Sequence, residues 1–316
     1  METAHNTSAI QSPSTIQSPS TIQSPSTIQS PLPIYKNLII SGGGFYCFQF
    51  FGIIKYLDDN NLLKDINKYI GVSAGSLINL LLIVGYKFCE IENFLMKFDF
   101  SKIFDLQLEK ILAEDNFKGL SNGDNFSKLI KKFLIKKEFN ENITLSELFK
   151  KTNKYCIIGV TNITEDKVEY LNHENYPDLP VYLALRMSCC IPVIFDPIIY
   201  NDNYYIDGGL KDNFPIQLIP EEEFINTAGI VLYPFKDKYD VANMITIKYL
   251  FHLYRTLDSD YIKEKINKYK VLCKLFIVTT SNENFINYKI DENSRIELVN
   301  LGYEQCKEMF TSLTIH

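Results

Sequence analysis

Gly71-Val72-Ser73-Ala74-Gly75 sets one serine between two glycines, where the short run Lys68-Tyr69-Ile70 meets the apolar run Ser76 to Ile83. Flanking glycines permit a tight, strained strand-to-helix turn that holds a hydroxyl clear of the backbone, at the positive end of a helix dipole. Serine is a poor nucleophile unless geometry and a nearby base assist it. Two other segments offer that assistance. Ser41-Gly42-Gly43-Gly44 lies at a strand-to-helix junction, where successive glycines leave N–H groups open to negative charge, as an oxyanion hole needs. Tyr204-Tyr205-Ile206-Asp207-Gly208-Gly209 ends a strand in an acid beside a sharp turn, from which a carboxylate can reach a serine on a neighbouring strand end.

Plainer readings compete at each place. Ser73 is small enough to serve close helix–strand packing alone. Asp207 before Gly208 suits a turn that caps its own backbone. Gly42 to Gly44 could open a dinucleotide loop, but the G-x-G-x-x-G pattern fails at Cys47. A Ser-His-Asp esterase needs a histidine after the acid, and His252 and His316 are the candidates. His252 sits within a helical run and His316 ends the chain, which argues against that triad.

The elements that must position these groups follow in order. Asn37 to Ser41 reads as a strand, then a helix through Phe51 to Leu57, a strand over Tyr69 to Val72, and the helix after Ser73. This β-α-β-α order predicts a mainly parallel sheet with helices on both faces, an α/β layered fold. A helical insertion is expected from about Phe88 to Lys151, with a capping box at Thr144 to Glu147. Strands are expected at Tyr155–Thr161, Lys167–Leu171, Ala228–Tyr233 and Lys274–Thr279, with a long helix near 241–267 before the last of these. A short helix starts at Pro180. An amphipathic helix from about Ser294 turns Ile296, Val299, Tyr303, Cys306 and Phe310 inward.

Composition narrows the classes. The 316 residues are 46% hydrophobic, enough for a sizeable core. A net charge of −6 and only three arginines argue against nucleic acid as a partner. Seven scattered cysteines, an odd number without CxxC spacing, speak against a disulfide framework or a metal site and for a reducing, cytoplasmic compartment. No basic, apolar leader begins the sequence, and no run of about eighteen apolar residues suggests a membrane span. Residues 1–33 stand apart. The hexad Gln11-Ser12-Pro13-Ser14-Thr15-Ile16 recurs twice more, and its Ser/Pro composition predicts a disordered tail ahead of one domain at 34–316. Residues 127–137 form a basic amphipathic helix, with Leu129, Ile130, Phe133 and Leu134 on one face and Lys128, Lys131, Lys132 and Lys136 elsewhere. Peripheral contact with an anionic membrane is one reading, and a core-covering helix with solvated lysines is the other.

These segments together resemble the patatin-like phospholipases. That family carries a glycine-rich oxyanion loop after its first strand, a GxSxG nucleophile and a DG[GA] acid. Arg186-Met187-Ser188-Cys189-Cys190-Ile191-Pro192-Val193-Ile194-Phe195 is similar to its RASxAxPxxF segment, and Asp212-Asn213-Phe214-Pro215 to its xNxP sequel. The resemblance, running from about Leu38 to Pro215, implies a patatin-like layered fold and a Ser-Asp dyad. Ser73 would attack an acyl ester and Asp207 would act as base. Gly42, Gly43 and Gly44 would supply oxyanion donors, with Gly71, Gly75, Gly208 and Gly209 shaping the turns. The implied substrate is a phospholipid or another acyl lipid, with no metal or cofactor. One departure stands out: the family loop reads GGGxRG, whereas Tyr46 and Cys47 occupy its last two positions here. A lost glycine raises the expectation of an altered turn, and hence of a weakly active or inactive member that binds lipid or a protein partner.

Overall fold

The computed structural model describes residues 33–107, 109–110, 118–233, 260–279 and 290–311. All but the last residue of the expected tail, most of the helix near 241–267, His252 and His316 lie outside the described residues.

Five parallel strands form the body of the sheet: β1 (Asn37–Ile40), β2 (Lys68–Val72), β4 (Tyr155–Asn162), β9 (Thr227–Tyr233) and β10 (Lys274–Thr279). Their order is β10-β9-β1-β2-β4, and β8 (Asn203–Asp207) and β7 (Ile198–Tyr200) continue it antiparallel. β5 (Lys167–Leu171) also pairs antiparallel with β4. Buried aliphatic runs such as Leu38-Ile39-Ile40 are what a sheet covered on both faces requires. Ile39, Ile70, Ile157, Val231 and Leu275 pack with Phe214, Phe224, Ile262 and Ile266 on one face. Leu38, Ile40, Tyr69, Ile158, Ile230 and Phe276 face the other core, shared with α1 (Cys47–Asp59), α2 (Ala74–Ile83) and the closing helix Glu292–Thr311.

The register of β4 brings the site together. Val72 of β2 pairs with Gly159, and Asp207 of β8 pairs with the next residue, Val160. β5 occupies the opposite edge along both stretches, from Ile158 to Asn162. β8 therefore takes over the edge of β4 just where β2 leaves it, so the C-terminal ends of β2 and β8 meet.

Two expectations change. The helical stretch from Phe88 to Lys151 is interrupted by β3 (Gly119–Ser121), which pairs in parallel with β6 (Val193–Phe195). It resolves into α3 (Phe88–Lys97), α4 (Ser101–Phe104), α5 (Asp124–Lys136) and α6 (Leu145–Thr152) among the described residues. The capping box holds: Glu147 N–H donates to Thr144 Oγ1 at 3.2 Å and Thr144 N–H to Glu147 Oε2 at 3.0 Å. In the closing helix Val299 and Cys306 are buried as expected, but Ile296 is 39% exposed. The buried stripe instead runs Arg295, Val299, Gly302 and Cys306. Arg295 earns its inward position by donating to the carbonyls of Leu95 and Phe98, the open C-terminal end of α3.

Candidate active site

Ser73 sits between β2 and α2 with φ 51° and ψ −127°, the strained geometry of a nucleophile elbow. The elbow is made tight by close approach. A side chain on Gly75 would lie 2.3 Å from the carbonyl oxygen of Ile40, because α2 starts directly over the end of β1. Gly71 is likewise pressed against Ser76. Ser73 is 8% exposed, and its hydroxyl donates to Asp207 Oδ2 at 2.6 Å. Asp207 Oδ1 accepts from Gly209 N–H at 2.8 Å, so both carboxylate oxygens have partners. Gly208 packs on the backbone of Gly159, which seats the turn against β4.

Burial pushes the Asp207 carboxyl up to about 6, although its bonds from Ser73 and Gly209 hold it down in part. A carboxyl raised in this way is a stronger base than an exposed aspartate. Cys189 lies beside the pair, and burial together with the Asp207 charge pushes its thiol well above the ordinary range. A protonated thiol is no competing nucleophile.

The structure also shows a residue to which the sequence assigned no task. Ser188, at the end of α7 (Val181–Ser188), accepts the Ser73 N–H at 2.8 Å and donates to the Gly159 carbonyl at 2.7 Å. Ser76 Oγ adds a third bond at 3.1 Å. Ser188 thereby fixes the strained backbone of the elbow to β4. Its signal was present in the Arg186-Met187-Ser188 segment, without a reason to single out the hydroxyl. Arg186 in that segment is buried and does not reach the pair. It donates to the Asn122 carbonyl at 3.1 Å and stacks on Phe195 at 4.7 Å.

Gly42 touches the serine: a side chain there would lie 3.2 Å from Ser73 Cβ. Its N–H, however, donates to Asn213 Oδ1 at 3.0 Å, and Asn213 Nδ2 returns a bond to the Gly42 carbonyl at 3.3 Å. Of the three expected donors, Gly42 is thus already engaged. The N–H groups of Gly43 and Gly44 meet no acceptor among the described residues. Gly44 adopts φ 50°, a left-handed conformation that explains a glycine at this point. Cys47, where the resembling family has glycine, has φ −55° and ψ −18° and opens α1. An ordinary helical conformation needs no glycine, so the substitution leaves this turn unstrained.

Asn213 is itself anchored. Its neighbour Asp212 is buried and pairs with Lys265 Nζ at 2.6 Å, and Tyr170 OH donates to Asp212 Oδ2 at 2.6 Å. Lys265 also donates to the Phe214 carbonyl and to Gln217 Oε1, each at 2.9 Å. Nothing in the sequence links Lys265 to this loop, since it comes from a distant helical segment (260–269). Among the described residues no group of His, Cys, Asp and Glu is arranged to hold a metal ion. His173 stacks on Phe149 at 3.8 Å, by the opposite end of β4.

The family model described as Patatin-like phospholipase matches residues 38–219. A probable lipid hydrolase of Invertebrate iridescent virus 6 is 38% identical over 189 residues, covering 58% of this chain and 63% of that relative. The chain thus spans somewhat less than two thirds of that relative's length. An uncharacterized protein of Acanthamoeba polyphaga mimivirus is 28% identical over 296 residues, covering 89% of this chain and 95% of its own. Among solved structures, VipD from Legionella pneumophila shares the fold with a TM-score of 0.52 at 18% identity, covering 89% of this chain and 67% of that one. With the elbow, the acid and the glycine loop in the family's order within the matched segment, this chain belongs to the patatin-like phospholipase family.

Proposed function

We propose that this protein is a lipid acyl hydrolase that cleaves fatty-acyl esters of glycerophospholipids through Ser73 and Asp207. The observation that carries the proposal is the 2.6 Å hydrogen bond from the Ser73 hydroxyl to a buried carboxylate. In this reading Ser73 Oγ attacks the ester carbonyl while its proton passes to Asp207 Oδ2. The tetrahedral oxyanion is met by the N–H groups of Gly43 and Gly44, aided by the start of α1. Collapse expels the alcohol, which takes the proton from Asp207, and leaves an acyl-serine. Water then gives a proton to Asp207 and attacks the acyl carbon, and the proton returns to Ser73 as fatty acid leaves. An aspartate with a pKa of about 6 supports this cycle, since it accepts a proton more readily than an exposed one and still releases it.

Ser73→Ala is expected to stop fatty-acid release from phospholipid vesicles, and Asp207→Asn to cut it by about a hundredfold or more. Ser73→Ala is also expected to lose labelling by a fluorophosphonate probe. Release at the parental rate in either variant ends the dyad assignment. A second reading is favoured by the Asn213 bond to Gly42, which withholds one donor: a member of the family that binds lipid without turning it over. An intact protein that the probe does not label, with lipid present, decides for that reading.

The same proposal places the protein in the cytoplasm, peripheral at membranes. Its support is the seven free thiols. The apolar face of α5 is not available for insertion, because Leu129, Ile130, Phe133 and Leu134 are buried in the core. Any contact through 127–137 is therefore one of lysine charge with anionic headgroups.

A further inference from the structure

A cavity of about 820 Å³ opens between α3, the segment 98–105 and α5, away from Ser73 and Asp207. Leu81 reaches it from α2 two turns beyond Ser73, about 12 Å along the helix by its rise per residue. Its inner wall is apolar and aromatic, built from Leu81, Ile91, Phe94 and Phe133. Its rim carries Lys102 from α4 and Lys128, Lys132 and Lys136 from α5. The last three recur every four residues, so they share one stripe of the helix. All four lysines are exposed. Lys131 and Lys137 nearby are paired with Glu141 at 3.8 Å and Glu90 at 2.7 Å. The four at the rim have no carboxylate at ion-pair distance among the described residues. Of the two acids in the lining, Glu90 is taken by Lys137, and Asp105 stands as the opposing charge.

We propose that this cavity binds a long-chain fatty acid, its chain against the aromatic wall and its carboxylate at the lysine rim. The size lies within the range that encloses ligands of this kind, and an apolar interior with a few convergent charges is the usual make-up of such sites. Four cations of one sign around an apolar mouth select an anionic amphiphile over a neutral one. The site stands whether or not Ser73 turns over lipid, so binding and hydrolysis are measured apart.

The test uses the full chain carrying Ser73→Ala and follows displacement of the fluorescent fatty acid cis-parinarate. Palmitate is expected to displace it, octanoate to do so much more weakly, and hexadecanol and inorganic phosphate to fail. Reversing Lys128, Lys132 and Lys136 to Glu is expected to weaken palmitate by about tenfold or more, as loss of several surface charge contacts would. Melting of that variant near the parental temperature shows that the fold survives. Lys128, Lys132 and Lys136 changed together to Arg should bind as the parent does, because charge is kept. Equal affinity in the Glu variant, or no gain with chain length, overturns the proposal. So does binding to vesicles containing phosphatidylserine with none to free palmitate, since that outcome needs surface charge and no cavity.

Discussion

Ser73 and Asp207 lie at the ends of two strands that follow one another along β4, and each is bound on several sides by backbone or buried hydroxyls. Gly42, the first of the three loop glycines beyond β1, touches Ser73 and is held to the acid's loop by one side chain, Asn213. The first region is positioned by sheet register and the second by a hydrogen-bonded clamp. In the proposed mechanism the serine and the acid exchange a proton and so need a fixed separation, which register supplies. Donors proposed to receive a developing charge need free N–H groups, which a loop sewn into the sheet would not offer.

The largest effect should come from the register-held side. Asp207→Asn is expected to lower turnover by about a hundredfold to ten-thousandfold, the usual worth of a general base. It should also alter stability in the opposite sense. Its raised pKa lets the folded carboxyl keep a proton up to about pH 6, whereas the unfolded one releases it near 3.8. Between these values the folded state binds more protons, so stability falls as pH rises through the window. The difference amounts to roughly 3 kcal/mol. Denaturant unfolding at pH 4 and pH 7 should show this fall in the parent and little of it in Asp207→Asn, with the variant the more stable at pH 7. A variant that is less stable at neutral pH would mean that the carboxylate is better solvated than its burial indicates.

The activity of the parent offers an intermediate effect. Because the base must be ionised, kcat/KM should decline about tenfold per pH unit below a pKa of about 6. A profile that stays flat to pH 4.5 would remove Asp207 as the base. Asn213→Ala tests the clamp: turnover should drop by about tenfold to a hundredfold through misplaced loop donors, with KM little changed. The same substitution would raise activity if Asn213 mainly withholds the Gly42 donor, which would recast it as a brake. The smallest effect is expected at Cys47→Gly. The position is already helical, so activity should hold within about twofold, and only the lower helix propensity of glycine should appear in the melting temperature.

Much of this is legible in the sequence. The alternating strand and helix runs announced the parallel body, because buried strands are apolar throughout while helices repeat every three to four residues. The elbow glycines at 71 and 75 and the acid at 207 were legible as sharp turns at strand ends. The pair β3 and β6 was not, since three residues within long helical or irregular stretches carry no period of their own. Nor was the inward turn of Arg295, whose partners are backbone carbonyls that no side-chain pattern reports. The tasks of Ser188 and Asn213 were hidden for a similar reason. Their segments were conspicuous, but a hydroxyl or amide declares its role only through the backbone it meets.

The sequence by itself determined which chemistry was available: a serine in a tight turn, an acid before two glycines and a loop rich in free amides. Local conformation depends on neighbouring residues, so glycine placement and apolar period carry it. Tertiary structure decided the rest, in the succession of β8 after β2 along β4, the Lys265–Asp212 pair that anchors Asn213, and the choice of which loop amide is engaged. Contacts between residues more than a hundred positions apart depend on how the sheet is ordered, and local sequence does not encode that order.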